Sequence, residues 1–377
     1  MSDSSTRKQS LVKLWDAAIA AVAGRQAVRT ALTSDPEFKP DLIIAVGKAA
    51  AGMCLGARDL LPDCEALVVT KYDHADDELT ALSRLTLIES AHPLPDQNSL
   101  NAGQLLLDRV AEMSPQSRLL MLVSGGASAL AEALPAPLTL ADLQAMTDEM
   151  ISGGKTIGEI NTRRKQASLI KAGKLIGSFQ GSEVRVYAIS DVEGDNIDTI
   201  GSGIGDCRLA RSSASSRIIA SNQIAREQAR HAAEQLGLSV KLDEETLYDD
   251  LFILSEKISQ TLARAEPGIY IWGGEPTVML PSNPGQGGRN QSLALALAEG
   301  IAGRKDISIL VAGTDGTDGP THAAGGLVDG ESWGDAEAAR NALQAANAGP
   351  YLFKQDSLFV TGPTNTNVMD LVIALID

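Results

Sequence analysis

The chain alternates between apolar runs of strand length and short loops that combine glycine with Lys, Ser, Asp, Glu or Thr. In an open α/β sheet, such loops collect at the carboxyl edge of the strands, where backbone N–H groups and helix N-termini favour anionic ligands. The repeated pattern therefore predicts an enzyme that handles phosphate. The six runs span 42–53, 119–130, 186–195, 269–278, 309–326 and 358–367.

The first half of the chain reads as strands alternating with helices, which is typical of a doubly wound, mostly parallel sheet. Two later segments, 212–238 and 245–266, look helical because Ala, Arg, Glu and Gln separate their apolar positions. We predict strands at 42–47, 66–70, 85–90, 118–124 and 184–190, and helices near 48–60, 98–113, 139–151 and 161–179.

The length of 377 residues exceeds the range in which one hydrophobic core usually keeps growing. We therefore predict two domains, 1–240 with a Rossmann-like parallel sheet and 241–377 as a second, smaller α/β domain. The second begins again at the apolar run GIYIWGGEP.

Composition and charge exclude several classes of protein. The hydrophobic fraction is 44% and the charged fraction 21%, and no apolar run approaches the ~20 residues that span a bilayer. Lys13 and Asp16 interrupt an apolar N-terminal segment whose apolar residues recur at helical spacing, which predicts an amphipathic helix and a cytoplasmic protein. The net charge of −16, without a basic stripe, argues against nucleic acid as a partner. An anionic substrate would therefore need a local concentration of Lys, Arg and backbone N–H groups.

Two loops of the first half carry candidate anion-binding groups. Lys48 follows Gly47 where a strand gives way to a helix, and a lysine there opposes the helix dipole unless an anion is bound. Lys48 is otherwise a solvated loop residue. The segment from Ser124 through Gly125 and Gly126 to Ser128 lets a phosphate approach the backbone closely, or is simply the tight turn of a βα unit.

Acidic residues and one arginine supply the remaining chemistry. Asp191 and Asp315 end strands, where a carboxylate accepts a hydroxyl proton, holds Mg²⁺, or merely forms a turn. Arg289 follows Gly288 in a glycine-lined turn before a helix, where a guanidinium binds a carboxylate or phosphate with two hydrogen bonds, or caps the helix at the surface. Asn161 lies in a basic cluster, INTRRKQ, that is otherwise a solvated helix face.

Three familiar patterns are absent from the sequence. The segment 153–156 resembles the end of a P-loop, but Glu149 stands where the first glycine is needed. Gly47, Gly52 and Gly56 lack the dinucleotide-binding spacing, which lowers the prospect of an NAD enzyme. The four histidines have no metal-like spacing, so we predict no zinc site.

Taken together, the motifs resemble the class II glycerate 2-kinases, the family with a MOFRL C-terminal domain. The resemblance runs in order from about residue 10 to the C-terminus, and it is specific as a set. It is carried by 46–49, 124–130, 159–161, 164–165, 190–192, 287–291, 314–321 and 361–364.

The resemblance implies phosphorylation of the 2-hydroxyl of D-glycerate by ATP with Mg²⁺, in a cleft between a Rossmann-like domain and a MOFRL domain. By position, Lys48, Asp191 and Arg289 match the catalytic residues of the family, and Asp191 and Asp315 are the candidate metal ligands. We expect the substrate and its phosphates to be bound by Gly47, Ser124, Gly125, Gly126, Ser128, Asn161, Gly288, Asp315 and Thr364.

Departures from the family pattern leave room for a different activity. The chain reads Gly201 to Gly205 where members read Ala-Ser-Gly-Pro-Thr, and it carries Gln166 and Ser292 in place of His and Glu. The acceptor could thus be another small hydroxy acid. Two further functions stay open, namely a hydroxypyruvate reductase that uses NAD(P)H and a binding protein without turnover. The sequence leaves the assembly state open, with a homodimer as one option.

Overall fold

The protein forms two compact units in a computed structural model that describes residues 3–153 and 157–377, the side chains at 147, 151, 152, 157 and 160 excepted. The parallel-sheet unit is Ala23–Ser221, and the mixed-sheet unit combines Met1–Val22 with Asn222–Asp377. Of the P-loop look-alike, residues 154–156 lie outside the described residues.

The parallel-sheet unit is built on one six-stranded sheet with the order β3-β2-β1-β4-β5-β6. All of its strand pairs are parallel. The two central strands are almost entirely apolar because both of their faces are buried. The strands are β1 (Leu42–Val46), β2 (Glu65–Lys71), β3 (Leu85–Ser90), β4 (Arg118–Val123), β5 (Glu183–Ile189) and β6 (Ser213–Ala220).

The connecting helices of this unit follow the predicted alternation. The doubly wound parallel sheet predicted from the sequence is therefore confirmed. The helix predicted at 161–179 is instead two helices with a break between them. The helices are α2 (Gly24–Thr33), α3 (Ala50–Arg58), α4 (Asp77–Thr80), α5 (Gln97–Ala111), α6 (Ala127–Leu130), α7 (Leu140–Ser152), α8 (Ile157–Ala167) and α9 (Lys174–Ser178).

The mixed-sheet unit contains a second six-stranded sheet with the order β11-β10-β9-β12-β8-β7. Only the β7–β8 pair is parallel, and the other pairs are antiparallel. The strands are β7 (Val240–Leu247), β8 (Gly268–Gly274), β9 (Ile307–Gly313), β10 (Gly325–Asp329), β11 (Leu358–Phe359) and β12 (Asp370–Ile376).

The N-terminal helix belongs to the mixed-sheet unit. It packs on the helix that follows residue 221 and on β9, and Trp15 meets the Phe359 ring edge-on at 5.7 Å. The helices of this unit are α1 (Ser4–Val22), α10 (Asn222–Gln235), α11 (Leu251–Ala263), α12 (Arg289–Gly300), α13 (Ala336–Gln344) and α14 (Ala348–Lys354).

Two predicted helical segments were wrong in part, because each begins with or contains an edge strand. The segment 212–238 contains β6 before α10, and the strand β7 runs into the start of 245–266. Both strands lie at the edge of a sheet, and most of their residues are exposed or half-buried. Serine and charged residues are tolerated there, so the apolar signal of a strand is missing.

The contact-defined units also differ from the predicted boundary at 240–241. Helix α10 and strand β7 join the mixed-sheet unit because β7 pairs with β8 and α10 packs against the same two strands. Helix α1 joins it across almost the whole sequence. Among the described residues, no helix is both long and apolar enough to cross a bilayer.

Candidate functional site

The first candidate site lies where the strand order of the parallel sheet reverses, between β1 and β4. In sheets of this order, ligands bind in the crevice outside the carboxyl ends of those two strands. The loop after β1 carries Gly47 and Lys48, and the loop after β4 carries Ser124, Gly125 and Gly126. The predicted phosphate-binding residues therefore meet at the one place where this topology opens the sheet.

Hydrogen bonds join the two loops. The Ser124 N–H donates to Val46 O at 3.0 Å, and the Lys48 N–H donates to Gly125 O at 2.9 Å. The Ser124 hydroxyl accepts from the Ala49 N–H at 3.1 Å. Ala49 is the N-cap of α3 and makes no side-chain cap itself, so Ser124 supplies the oxygen that this helix start lacks.

Glycine is required at two positions of this crevice. Gly47 has φ of +132°, and a Cβ there would lie 2.2 Å from the Ser124 hydroxyl oxygen. Gly126 has φ of +84°, in the left-handed region that favours glycine. The aliphatic part of Lys48 lies directly over Gly126, since a Cβ built there would be 3.1 Å from Lys48 Cγ.

Asp191 reaches the same loop from the carboxyl end of β5. A Cβ built on Gly125 would lie 1.9 Å from the Asp191 Oδ2 atom, so the carboxylate occupies the space that any larger residue would need. The structure thus brings Lys48 and Asp191 to opposite ends of the same two glycines, Gly125 and Gly126. A cation and a carboxylate are placed where an anionic ligand and a hydroxyl group could meet them.

His92 is a member of this group that the sequence analysis missed. Its Cδ2 atom lies 3.2 Å from the Cβ position of Gly126. Burial, together with the positive charges of Lys48 and Lys71, lowers the pKa of His92 to about 4. The imidazole is therefore neutral at pH 7 and adds no charge to the crevice. No spacing pattern marks this residue in the sequence.

The other predicted residues of this unit lie farther along the loop. Ser128, on α6, shares a hydrogen bond with the Ser202 hydroxyl at 2.8 Å. Arg164, in the last turn of α8, donates to Ser128 O at 3.1 Å. Asn161 lies three residues earlier on α8, which places it on the same helix face as Arg164.

The second candidate site lies in the mixed-sheet unit around Arg289, the first residue of α12. Its Nε donates to Asp370 Oδ2 at 2.6 Å and its Nη1 lies 3.0 Å from Glu275 Oε1. Burial lowers the pKa of Arg289, but Asp370 and Glu275 outweigh this effect and raise it. The guanidinium is thus permanently charged and held between two carboxylates.

Asp318 occupies the N-terminus of the same helix. It accepts from the backbone N–H groups of Asn290 at 3.1 Å and Gln291 at 2.8 Å. Burial raises the pKa of Asp318 to about 7, against the lowering effect of those two bonds. Gly288 is required beside it, because a Cβ would lie 2.2 Å from Asp318 Oδ1.

Asp315 and Thr364 belong to one loop cluster at the end of β9. The Thr364 hydroxyl donates to Thr314 O at 2.6 Å, and its N–H donates to Asp315 O at 3.2 Å. One carboxylate oxygen of Asp315 accepts from the Thr317 N–H at 2.9 Å, which is the turn-forming role considered for this residue.

Asp370 and Glu275 are the residues of this second site that sequence reasoning did not single out. Asp370 begins β12, and the six residues after it are all apolar. Burial raises its pKa to about 6, although Arg289 lowers it. A carboxylate at the start of an otherwise apolar buried strand could have marked Asp370 in the sequence as a residue that needs a cationic partner.

A dedicated metal cage is not seen. Within residues 3–153 and 157–377, no group of three or more His, Cys, Asp or Glu side chains could hold a metal ion. Proteins usually bind Mg²⁺ through one or two carboxylates together with substrate phosphates and water, which does not require such a group. Asp191, set against the glycine loop, is suited to that arrangement.

Comparison with known proteins places the chain in a family. Residues 10–236 match the family described as a domain of unknown function, DUF4147, and residues 268–370 match the MOFRL family. A D-glycerate 2-kinase of Thermotoga maritima is 31% identical, with 100% of each chain covered. A glycerate 2-kinase of Pyrococcus horikoshii is 32% identical over 89% of this chain and 87% of its own.

The fold agrees with these matches. A crystal structure of glycerate kinase from Thermotoga maritima superimposes with a TM-score of 0.91 at 29% identity, covering 99% of this chain and 100% of that one. The same family is indicated by the two family matches, by the relatives and by the shared fold. The chain belongs to the class II glycerate kinase family.

Proposed function

We propose that this protein is a glycerate 2-kinase that transfers the γ-phosphoryl group of ATP to the 2-hydroxyl of D-glycerate, with ADP as the second product. The observation that carries the proposal is the crevice between β1 and β4, where Lys48 and Asp191 flank Gly125 and Gly126. Phosphoryl transfer requires positioning and charge neutralisation more than covalent help from the protein.

Lys48 neutralises phosphate oxygens in this mechanism, while the backbone of Gly125 and Gly126 allows them to approach closely. Asp191 orients the 2-hydroxyl and accepts its proton. The hydroxyl oxygen attacks the γ-phosphorus, a new P–O bond forms, and the bond to the β–γ bridging oxygen breaks as ADP leaves. Only the proton of the attacking hydroxyl moves to the protein.

Mg²⁺ would be held by Asp191 or Asp315, the two carboxylates that follow strands β5 and β9. When bound, the ion neutralises charge on the transferred phosphoryl group. Arg289 contributes a further fixed positive charge to the reaction. Its pairing with Asp370 and Glu275 fixes the guanidinium in one orientation.

The reaction is tested by measuring ADP release with D-glycerate, ATP and Mg²⁺, beside oxidation of NADH with hydroxypyruvate. We expect turnover only in the first assay. Turnover only in the second would establish the reductase instead and end the kinase proposal. A panel of small hydroxy acids, assayed with ATP under the same conditions, identifies the preferred acceptor.

The residue roles are tested by Lys48→Ala and Arg289→Ala. Each is expected to lower kcat/KM at least ~100-fold, because each removes a charge-assisted contact from the site. Isothermal titration that shows ATP or D-glycerate binding without product formation in the unaltered protein would favour a binding protein without turnover.

A further inference from the structure

Three lysines around the end of α8 are matched by nearby oxygen atoms. Lys165 Nζ donates to Asp198 O at 2.7 Å, and Lys174 Nζ donates to the Lys165, Gln166 and Ser168 carbonyl oxygens. Lys171 is fully buried and paired with the buried Glu132. These three side chains therefore stabilise the segment that follows α8.

Arg164 is the exception in this cluster. Among the described residues, its side chain has one hydrogen bond, to Ser128 O at 3.1 Å, and no salt bridge. Its Nε is buried and has no hydrogen-bond partner. A guanidinium carries five N–H donors, and burial is unfavourable enough here to lower the pKa of Arg164.

Arg164 is half-buried, and three arginines that are more deeply buried have more partners among the described residues. Arg7 pairs with Asp377, and Arg226 pairs with Asp243 and Glu245. Arg58 donates to three backbone carbonyl oxygens, although its Nε, like that of Arg164, is buried without a hydrogen-bond partner. Burial of a cation with few such partners is unfavourable, so Arg164, with one hydrogen bond and the charge of Glu132 nearby, is the arginine of this group best suited to take an anion from outside the chain.

The position of Arg164 identifies the kind of anion. Ser128 lies on α6, two residues after Gly126, so the hydrogen bond to Ser128 O places the guanidinium next to the end of the glycine loop. In a 2-hydroxy acid, the carboxylate is attached to the carbon that bears the reacting hydroxyl. The acceptor therefore needs a cation beside the phosphate-binding group but separate from it, and a planar guanidinium suits a carboxylate.

We infer that Arg164 binds the carboxylate of the acceptor acid, while Lys48 serves the phosphates. This inference rests on the proposed kinase function and adds the residue that selects an acid as the acceptor. The inference also places Asn161 near the proposed carboxylate-binding residue, because Asn161 and Arg164 lie on one face of α8.

The test compares Arg164→Gln and Arg164→Lys with Arg163→Gln, which removes the same charge from the adjacent, exposed position of α8. KM is measured separately for D-glycerate and for ATP, and also for D-glyceramide, in which a neutral amide replaces the carboxylate. Binding of D-glycerate is measured by isothermal titration, and folding by thermal melting.

In Arg164→Gln we expect KM for D-glycerate to rise about 10- to 100-fold, with KM for ATP changed less than about 3-fold. The preference of the unaltered enzyme for D-glycerate over D-glyceramide should disappear in the same variant. Arg164→Lys should recover part of the loss, and Arg163→Gln should behave like the unaltered enzyme.

Two results would overturn the inference. One is a rise in KM for ATP equal to that for D-glycerate, which would assign Arg164 to the phosphates. The other is unchanged KM values with a lowered melting temperature, which would make the residue structural. If the unaltered protein shows no kinase activity, the proposed function fails. In that case, titration with D-glycerate still tests the inference about Arg164, because equal binding by the unaltered protein and by Arg164→Gln would reject it.

Discussion

The two glycine-rich sheet edges of this protein differ in whether their cations are paired with carboxylates. In the mixed-sheet unit, Arg289 is held by Asp370 at 2.6 Å and by Glu275 at 3.0 Å. In the parallel-sheet unit, Arg164 contacts only one carbonyl oxygen, and no ion pair within 4.0 Å is found for Lys48 among the described residues. At one edge the cation is paired with carboxylates of the same unit, whereas at the other edge no such pair is found among the described residues.

This difference shows how an acidic protein can bind an acidic substrate. With a net charge of −16, the surface repels anions, so attraction has to be local. In the proposed function, the crevice between β1 and β4 provides it through Lys48 and Arg164, for which no ion pair is found within residues 3–153 and 157–377. An arginine that is already paired contributes orientation instead, because its carboxylates fix its geometry.

The largest effect is expected from Lys48→Ala. Removing the ammonium from the crevice should lower kcat/KM by ~100-fold or more, because no other lysine lies on this loop. Lys71, at the carboxyl end of neighbouring β2, is the matched control, and Lys71→Ala should change kcat/KM less than about 3-fold. Equal losses of kcat/KM in both variants would contradict a special role for the crevice between β1 and β4. Steady-state ADP release measures both.

Gly125→Ala should have the next largest effect. A methyl group there would lie 1.9 Å from Asp191 Oδ2, so the carboxylate must move, and kcat should fall about 30-fold. Gly194→Ala is the control, because its Cβ meets no atom within 4 Å although φ is +74°. Normal turnover in Gly125→Ala would show that the position of Asp191 is not critical.

Arg289→Ala should affect stability as well as turnover. Asp370, with only 2% of its side chain exposed, would lose its cation, and the free energy of unfolding should fall by about 2 kcal/mol. The double variant Arg289→Ala/Asp370→Asn should recover much of that loss. Lys48→Ala should leave stability nearly unchanged. Urea denaturation distinguishes these cases, and an additive double variant would refute the coupling.

The smallest effect concerns pH. Burial raises the pKa of Asp318 from 3.8 to about 7, so between these values the folded protein binds more protons than the unfolded chain. The contribution of this group to stability is therefore complete at low pH and is lost as the pH rises through 7. In Asp318→Asn, the slope of unfolding free energy against pH from 4 to 7 should become less negative. Asp315→Asn, in the same loop but partly exposed, is the control, and an unchanged slope in Asp318→Asn would contradict the expectation.

The centres of both sheets and the edge strand β3 could be predicted from the sequence, but the edge strands β6 and β7 could not. Strands such as β1 and β9 are buried on both faces and are therefore almost continuously apolar. The edge strands β6 and β7 are rich in serine and charged residues, so only their pairing in three dimensions reveals them.

The candidate site shows a similar division. Lys48, Ser124 and Asp191 were identifiable because each follows a recognisable strand. His92 and Asp370 were not, because their roles depend on what lies across from them: His92 on the β1 and β4 loops, and Asp370 on Arg289. Strand ends can be read along the chain, but partners brought together by sheet pairing cannot.

Helix α1 has a consequence for how the chain must be made. Its Trp15 contacts Phe359, and Arg7 pairs with Asp377, the last residue. During synthesis, α1 therefore leaves the ribosome about 200 residues before α10 and more than 300 residues before Ser308, its hydrogen-bond partner on β9. The intervening segment, Ala23–Ser221, can fold during that delay, while the amphipathic helix α1 is still without its partners. A truncated protein that starts at residue 241 would lack α1, α10 and the first residue of β7, and should be recovered mainly as insoluble material.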